Sequence, residues 1–302
     1  MLVLALLLLS SSWDVQANGK KARAGNRSDA IIIRSAVIHY ARPNLLLGNG
    51  SYAGPADIWN PDKGFLVQSI NPESYNFNFP TTGLDGLYFD LLITGIEPEE
   101  LTWAPVTHEG ITATVTNVVA NDYWIPYKDR GQVVARVRLT GPKVSNQWDN
   151  PHPNLITKPQ LPQTFELVGR DINTGDEVVK YGFVLRQWFV NGGGQRKSYS
   201  DQLAWCNSLG YRMPRVRDLT NSNYHNLGAA PSSSDSFYMR HIGAGFFTEW
   251  GDMLYYADAG FVLGSYWTSD AIGSFQYPVT SGTGLAYIYS ASFSCYGVCT
   301  AP

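Results

Sequence analysis

The sequence predicts a β-rich α+β fold, with an N-terminal β-sandwich followed by an α+β domain. Three observations carry this. Short runs of branched or alternating residues recur between residues 31 and 139, separated by Gly, Pro, Asn and Asp clusters. Helical spacing appears only after residue 198. Between the two lies a stretch, residues 141–163, holding Pro142, Pro151, Pro153, Pro159 and Pro162, which cannot form a regular element.

Taken in order, the chain begins with an unbroken apolar run, Leu2 to Leu9, too short to span a bilayer. Val15 and Ala17 stand where a small-residue cleavage site would precede Asn18, so residues 1–17 read as a secretory signal peptide, although no Lys or Arg precedes the run. Residues 18–30 are small and polar and read as a flexible lead-in. Strands are expected at Ile31–Tyr40, Gly64–Ile70, Leu87–Thr94, Ile111–Val119 and Gln132–Leu139. The fourth alternates apolar residues with Thr over most of its length, as a half-buried strand does. These runs set a sandwich domain at 31–145 and a connector at 146–163. Thr164–Val168 and Glu177–Val190 are further strands. They open the second domain, 164–302, although the strand after the connector can pack on either side.

In the second domain, Ser198 or Ser200 can cap a helix by accepting from an orphan N–H. Leu203, Cys206 and Leu209 share one face of it. Gly210 supplies a left-handed stop, and Pro214 opens a second short helix. Residues 221–264 read as loop. Strand character returns at Ser265–Ser269 and Leu285–Tyr289.

Charged residues make up 16% and aromatics 13%, with 9 Trp and 18 Tyr. This balance suits secreted β-rich proteins and binding surfaces. A net charge of −3 gives no nucleic-acid footprint. No second apolar run has the length of a membrane span. There are 3 cysteines, Cys206, Cys295 and Cys299, so one disulfide leaves one thiol over. Cys295 and Cys299 point to one face of a strand, and either can reach Cys206. The scattered histidines have no zinc spacing.

The order of a Trp205-Cys206 helix, Gly210-Tyr-Arg-Met-Pro214, a second short helix, a long loop region, Tyr266-Trp267-Thr268 and a cysteine-bearing terminal strand resembles the C-type lectin-like fold. The resemblance covers about residues 177 to 302, and it implies a disulfide between Cys206 and Cys299. The wider arrangement is similar to the distal region of bacterial invasin- and intimin-like adhesins, in which an Ig-like sandwich is followed by a lectin-like tip. The run Tyr181–Phe189 resembles the way into that tip. Such adhesins carry a membrane β-barrel and repeated sandwiches upstream, which these 302 residues do not include.

The resemblance implies an exported, surface-associated adhesion protein of the bacterial outer membrane that binds a host or cell-surface protein or glycan without catalysis. Lectin-like domains that bind sugar through calcium use Glu-Pro-Asn or Gln-Pro-Asp with Trp-Asn-Asp. Neither triplet occurs here, and no cofactor is expected. In the loop region, Trp250, Tyr255 and Tyr256 flank polar Glu249, Asp252 and Asp258. We therefore expect Arg240, Trp250, Asp252, Tyr255 and Tyr256 to form the binding face, with Phe246 and Phe247 in the core. Two other function classes compete. Formylglycine-generating oxidases, of related fold, hold copper with two nearby C-terminal cysteines, which Cys295 and Cys299 resemble in spacing. The other is a structural module of an appendage or phage fibre.

Overall fold

The computed structural model describes residues 36–301. The expected signal peptide at 1–17, the lead-in at 18–30 and the first residues of the Ile31–Tyr40 strand lie outside the described residues. In chain order the strands are β1 Val37–Arg42, β2 Trp59–Asn60, β3 Gly64–Leu66, β4 Thr82–Leu84, β5 Tyr88–Thr94, β6 Leu101–Trp103, β7 Val106–His108, β8 Ile111–Val119 and β9 Val133–Thr140. They continue as β10 Gln163–Asp171, β11 Glu177–Leu185, β12 Gln187–Asn191, β13 Ser265–Ile272, β14 Phe275–Thr280, β15 Tyr289–Ser290 and β16 Val298–Ala301. The helices are α1 Tyr199–Ser208, α2 Val216–Leu219 and α3 Phe246–Trp250.

A seven-stranded sheet in the order β2-β3-β1-β5-β9-β8-β7 makes one layer of the sandwich. The alternation of Ile111–Val119 becomes β8, paired antiparallel with β9 from Thr112 to Val119. The second layer is the three-stranded sheet β11-β10-β6. Phe89 of β5 meets Tyr181 and Phe183 of β11 across the gap, and Phe165 stacks on Phe183. This placement corrects the domain boundary drawn at residue 164. β10 pairs with β6 through Gly169, Arg170 and Asp171, so Gln163–Leu185 completes the sandwich. The sandwich needs a second sheet to bury the apolar side of the first, and the residues before 145 supply only the short β6 towards it.

The proline-rich connector is likewise tied down. The Trp148 Nε1 donates to the Asn191 carbonyl at 2.8 Å, Ile156 N donates to Leu209 O, and the Tyr211 hydroxyl donates to Thr157 O. All described residues fall in one compact unit. A sheet in the order β16-β12-β4 joins its halves, because β4 from the sandwich region runs parallel to β12.

The α1 helix follows the sequence expectation. Ser198 caps it by accepting from Asp201 N, and Gly210 adopts φ +80° just beyond it. Cys206 on this helix is bonded to Cys299 on β16, with 5.5 Å between the Cα atoms. Cys295 is buried and free, and burial pushes its thiol up to about 11. The disulfide takes Cys299, so a two-thiolate copper set at Cys295 and Cys299 is not available. The loop expected over 221–264 contains α3, whose Phe246 and Phe247 are in the core as expected. Of the expected Leu285–Tyr289 strand only Tyr289 lies in a strand, β15, while Ala286 makes a single bridge to Val279.

Candidate binding surface

The five residues expected on one binding face separate by burial. Arg240, Trp250 and Tyr256 are completely buried, which corrects their assignment to the surface. The guanidinium of Arg240 lies 4.2 Å from the centre of the Trp59 ring. Its Nη1 donates to Thr248 O and its Nη2 to Asn44 O. Trp250 donates from Nε1 to Thr82 O and packs on Phe79. The Tyr256 hydroxyl accepts from Asn44 N at 2.8 Å. These side chains fasten the loop region onto the sandwich.

The polar neighbours that suggested exposure explain the misreading. Glu249 is itself completely buried. Its carboxylate accepts from Thr81 N and Thr82 N, both at 3.0 Å, from both threonine hydroxyls, and from Gly243 N at 2.9 Å. Burial pushes its pKa up, and these hydrogen bonds oppose the shift. A buried carboxylate whose lone pairs are occupied by local donors looks, in sequence, like a surface residue.

Tyr255 and Asp252 remain at the surface. Tyr255 is 37% exposed and stacks on Tyr123, which is 68% exposed, with centroids 5.6 Å apart and planes 6° from parallel. Tyr127, on the same 120–132 connection between β8 and β9, is 91% exposed. Beneath the pair, buried Trp124 contacts both Tyr255 and Tyr256, and Tyr256 contacts Tyr88. Asp252 is half-buried. It accepts from Leu254 N, and its pKa is raised by desolvation.

Ion pairs stiffen the support of this surface. The Tyr88 hydroxyl donates to Asp122 at 2.7 Å, and Arg136 lies over the Tyr88 ring. Arg136 also bonds Asp90 and Asp122. Arg130 donates to the carbonyls of Tyr123 and Ile125, at 3.0 Å each, fixing the loop that carries the exposed tyrosine. Arg138–Asp258 and Lys128–Asp62 place charges of both signs nearby. Sequence reading missed Tyr123 and Tyr127. The signal was their clustering with Trp124 in a turn-rich segment between two well-patterned strands, where connecting residues face solvent.

Among the described residues there is no cluster of three or more His, Cys, Asp or Glu side chains suited to a metal. No helix among them is long and apolar enough to cross a membrane.

No family model matches the chain, and no curated protein matches it. Two solved structures are similar to it. One is invasin, described as a bacterial integrin-binding protein, with a TM-score of 0.51, 14% identity, and coverage of 88% of this chain and 39% of that one. The other is an intimin mutant of EHEC O157:H7, with a TM-score of 0.39, 11% identity, and coverage of 81% and 93%. The chain thus spans about two fifths of the invasin structure's length. The β-rich fold, sandwich followed by lectin-like half, is an invasin-like fold.

Proposed function

We propose that the protein is an exported, surface-associated bacterial adhesion module that attaches to a cell-surface protein, without catalysis, through the composite surface around Tyr123 and Tyr255. The observation that carries this reading is the stacked tyrosine pair, contributed by two distant segments and mounted on buried Trp124 and Tyr256 and half-buried Tyr88. Exposed rigid aromatics surrounded by charges of both signs are the composition of a protein-binding hot spot with a polar rim. The likeness to an integrin-binding protein supports an adhesive role and leaves the ligand to experiment.

The test is binding of the purified chain to cultured cells, measured by flow cytometry. Binding is expected to fall by at least about thirtyfold in Tyr123→Ala with Tyr255→Ala, since hot-spot aromatics each contribute more than about 1 kcal/mol. Protease treatment of the cells should abolish binding, and enzymatic removal of glycans should leave it. Loss on glycan removal alone would make the ligand a carbohydrate. Full binding by the double variant would sink the surface assignment. Absence of binding to any cell type would favour a purely structural module.

A further inference from the structure

The hairpin formed by β13 and β14 is a second feature, separate from the tyrosine pair. From Ala271 to Pro302 the sequence holds no Lys, Arg, Asp, Glu or His. Within that stretch the hairpin turn, Gly273-Ser274, is flanked by Ile272 and Phe275, which face each other across the strands. Ile272 is 49% exposed and Phe275 46%. Residues 271–275 are all exposed, so the turn projects from the body.

Residues 271–276 of this projection carry no charge on either face, and its end is apolar. Directly opposed residues share a face, and neighbours along a strand alternate. Ile272 and Phe275 therefore share one face, with Ser290 opposite Phe275. Tyr289 opposes Gln276 and lies on the other. There it packs beside Tyr287 and Phe293, with centroids 5.9 and 5.3 Å away. Phe293 is 57% exposed. Exposed apolar side chains thus stand on both sides, Ile272 and Phe275 on one and Phe293 beside Tyr289 on the other, and residues 271–302 offer a protein partner no charge to pair with.

A cation lies beside Phe293. Arg196 is exposed, and its Nε and Nη2 donate to the carbonyl of Ser294, next to Phe293, at 2.9 and 2.6 Å. The neighbouring acid, Asp270, is engaged by Val216 N at 2.7 Å. Exposed apolar side chains, tyrosines packed beside Phe293 and a cation fixed next to it are the residue types that the acyl, carbonyl and phosphate regions of a bilayer interface take.

We propose that the β13–β14 hairpin inserts shallowly into the interface of a phospholipid bilayer, with Ile272, Phe275 and Phe293 among the acyl chains and Arg196 at the phosphates. This contact is independent of the tyrosine surface.

The test is flotation of the chain from Asn18 onward, which retains every described residue and omits the apolar Leu2–Leu9 run. The vesicles are phosphatidylcholine alone, phosphatidylcholine with phosphatidylglycerol, and lipopolysaccharide. Partitioning into the phospholipid vesicles is expected. Ile272→Asp with Phe275→Asp should lower it by roughly a hundredfold, about tenfold for each apolar side chain withdrawn. Arg196→Gln should lower binding to the anionic vesicles by about fivefold and leave the neutral ones unchanged. Tyr123→Ala should bind as wild type. Circular dichroism confirms that each variant is folded, which is expected because the replaced side chains are exposed. Wild type remaining in the aqueous fraction, equal binding by the double Asp variant, or binding only to lipopolysaccharide would each overturn the proposal.

Discussion

The sandwich and the lectin-like half bury charge in opposite ways. In the sandwich, ionised groups are buried in company. Arg42 contacts Asp90 and Asp129, and Arg136 contacts Asp90 and Asp122, so Arg42, Arg136 and Asp90 each have two ion partners. In the lectin-like half, the buried charges stand alone. Glu249 and Arg240 have no ion partner among the described residues, and each is satisfied largely by backbone groups and hydroxyls. Their acceptors and donors include Thr81, Thr82 and Asn44, which belong to the sandwich region. The sandwich therefore carries a redundant network, whereas single residues of the tip hold it to the sandwich. A network tolerates loss of one member better than a lone charge tolerates loss of its only shell.

The disulfide makes the largest test of this contrast, because it lies in one half only. It closes a separation of 93 residues, for which the chain-entropy model gives about 4 to 5 kcal/mol as an upper figure. Cys206→Ser should speed hydrogen exchange in β12, β16 and α1 by orders of magnitude, with β5, β8 and β9 unchanged. Equal acceleration in both halves would show that they unfold together.

Glu249→Gln is next. The amide keeps one acceptor oxygen and turns an NH2 towards donors, stranding several of Thr81 N, Thr82 N, Gly243 N and the two hydroxyls. A loss of about 3 to 4 kcal/mol is expected, at 1 to 3 kcal/mol per unsatisfied buried group with some relaxation. Urea unfolding measures it.

Arg136→Gln should cost less, about 2 kcal/mol, because Arg42 still compensates Asp90. If Arg136→Gln proves more damaging than Glu249→Gln, the contrast between network and lone charge fails.

The smallest effect concerns pH. Asp90, Glu249 and Asp252 all have pKa values raised, in each case chiefly by desolvation. A raised native pKa means that the folded state binds the proton more readily than the unfolded chain does. Stability contributed by these groups therefore increases as pH falls through their native pKa values, and is lost as pH rises through them. The urea midpoint should hold or rise slightly between about pH 7 and pH 5, and Glu249→Gln should flatten that slope. A midpoint that drops steadily over this interval would contradict the assignment.

Much of the local structure was legible in the sequence. Ile111–Val119 declared itself by alternation, and β8 has the same bounds. A serine cap at 198 or 200, the Gly210 stop and the inward Cys206 were readable because capping, backbone handedness and helical spacing act over a few residues, and the structure selects Ser198. The cysteine count allowed one disulfide, and the resemblance to a lectin-like order pointed to Cys299. The tertiary structure decided which layer Gln163–Leu185 joins, since an apolar strand face fits either neighbour until a partner sheet is present. It also decided which aromatics meet solvent. Trp250 and Tyr256 lie beside polar residues in sequence and are buried, whereas Tyr255 is partly exposed and paired with Tyr123 from a distant loop. Exposure depends on what distant segments cover, and a side chain's neighbours along the chain carry little of that information.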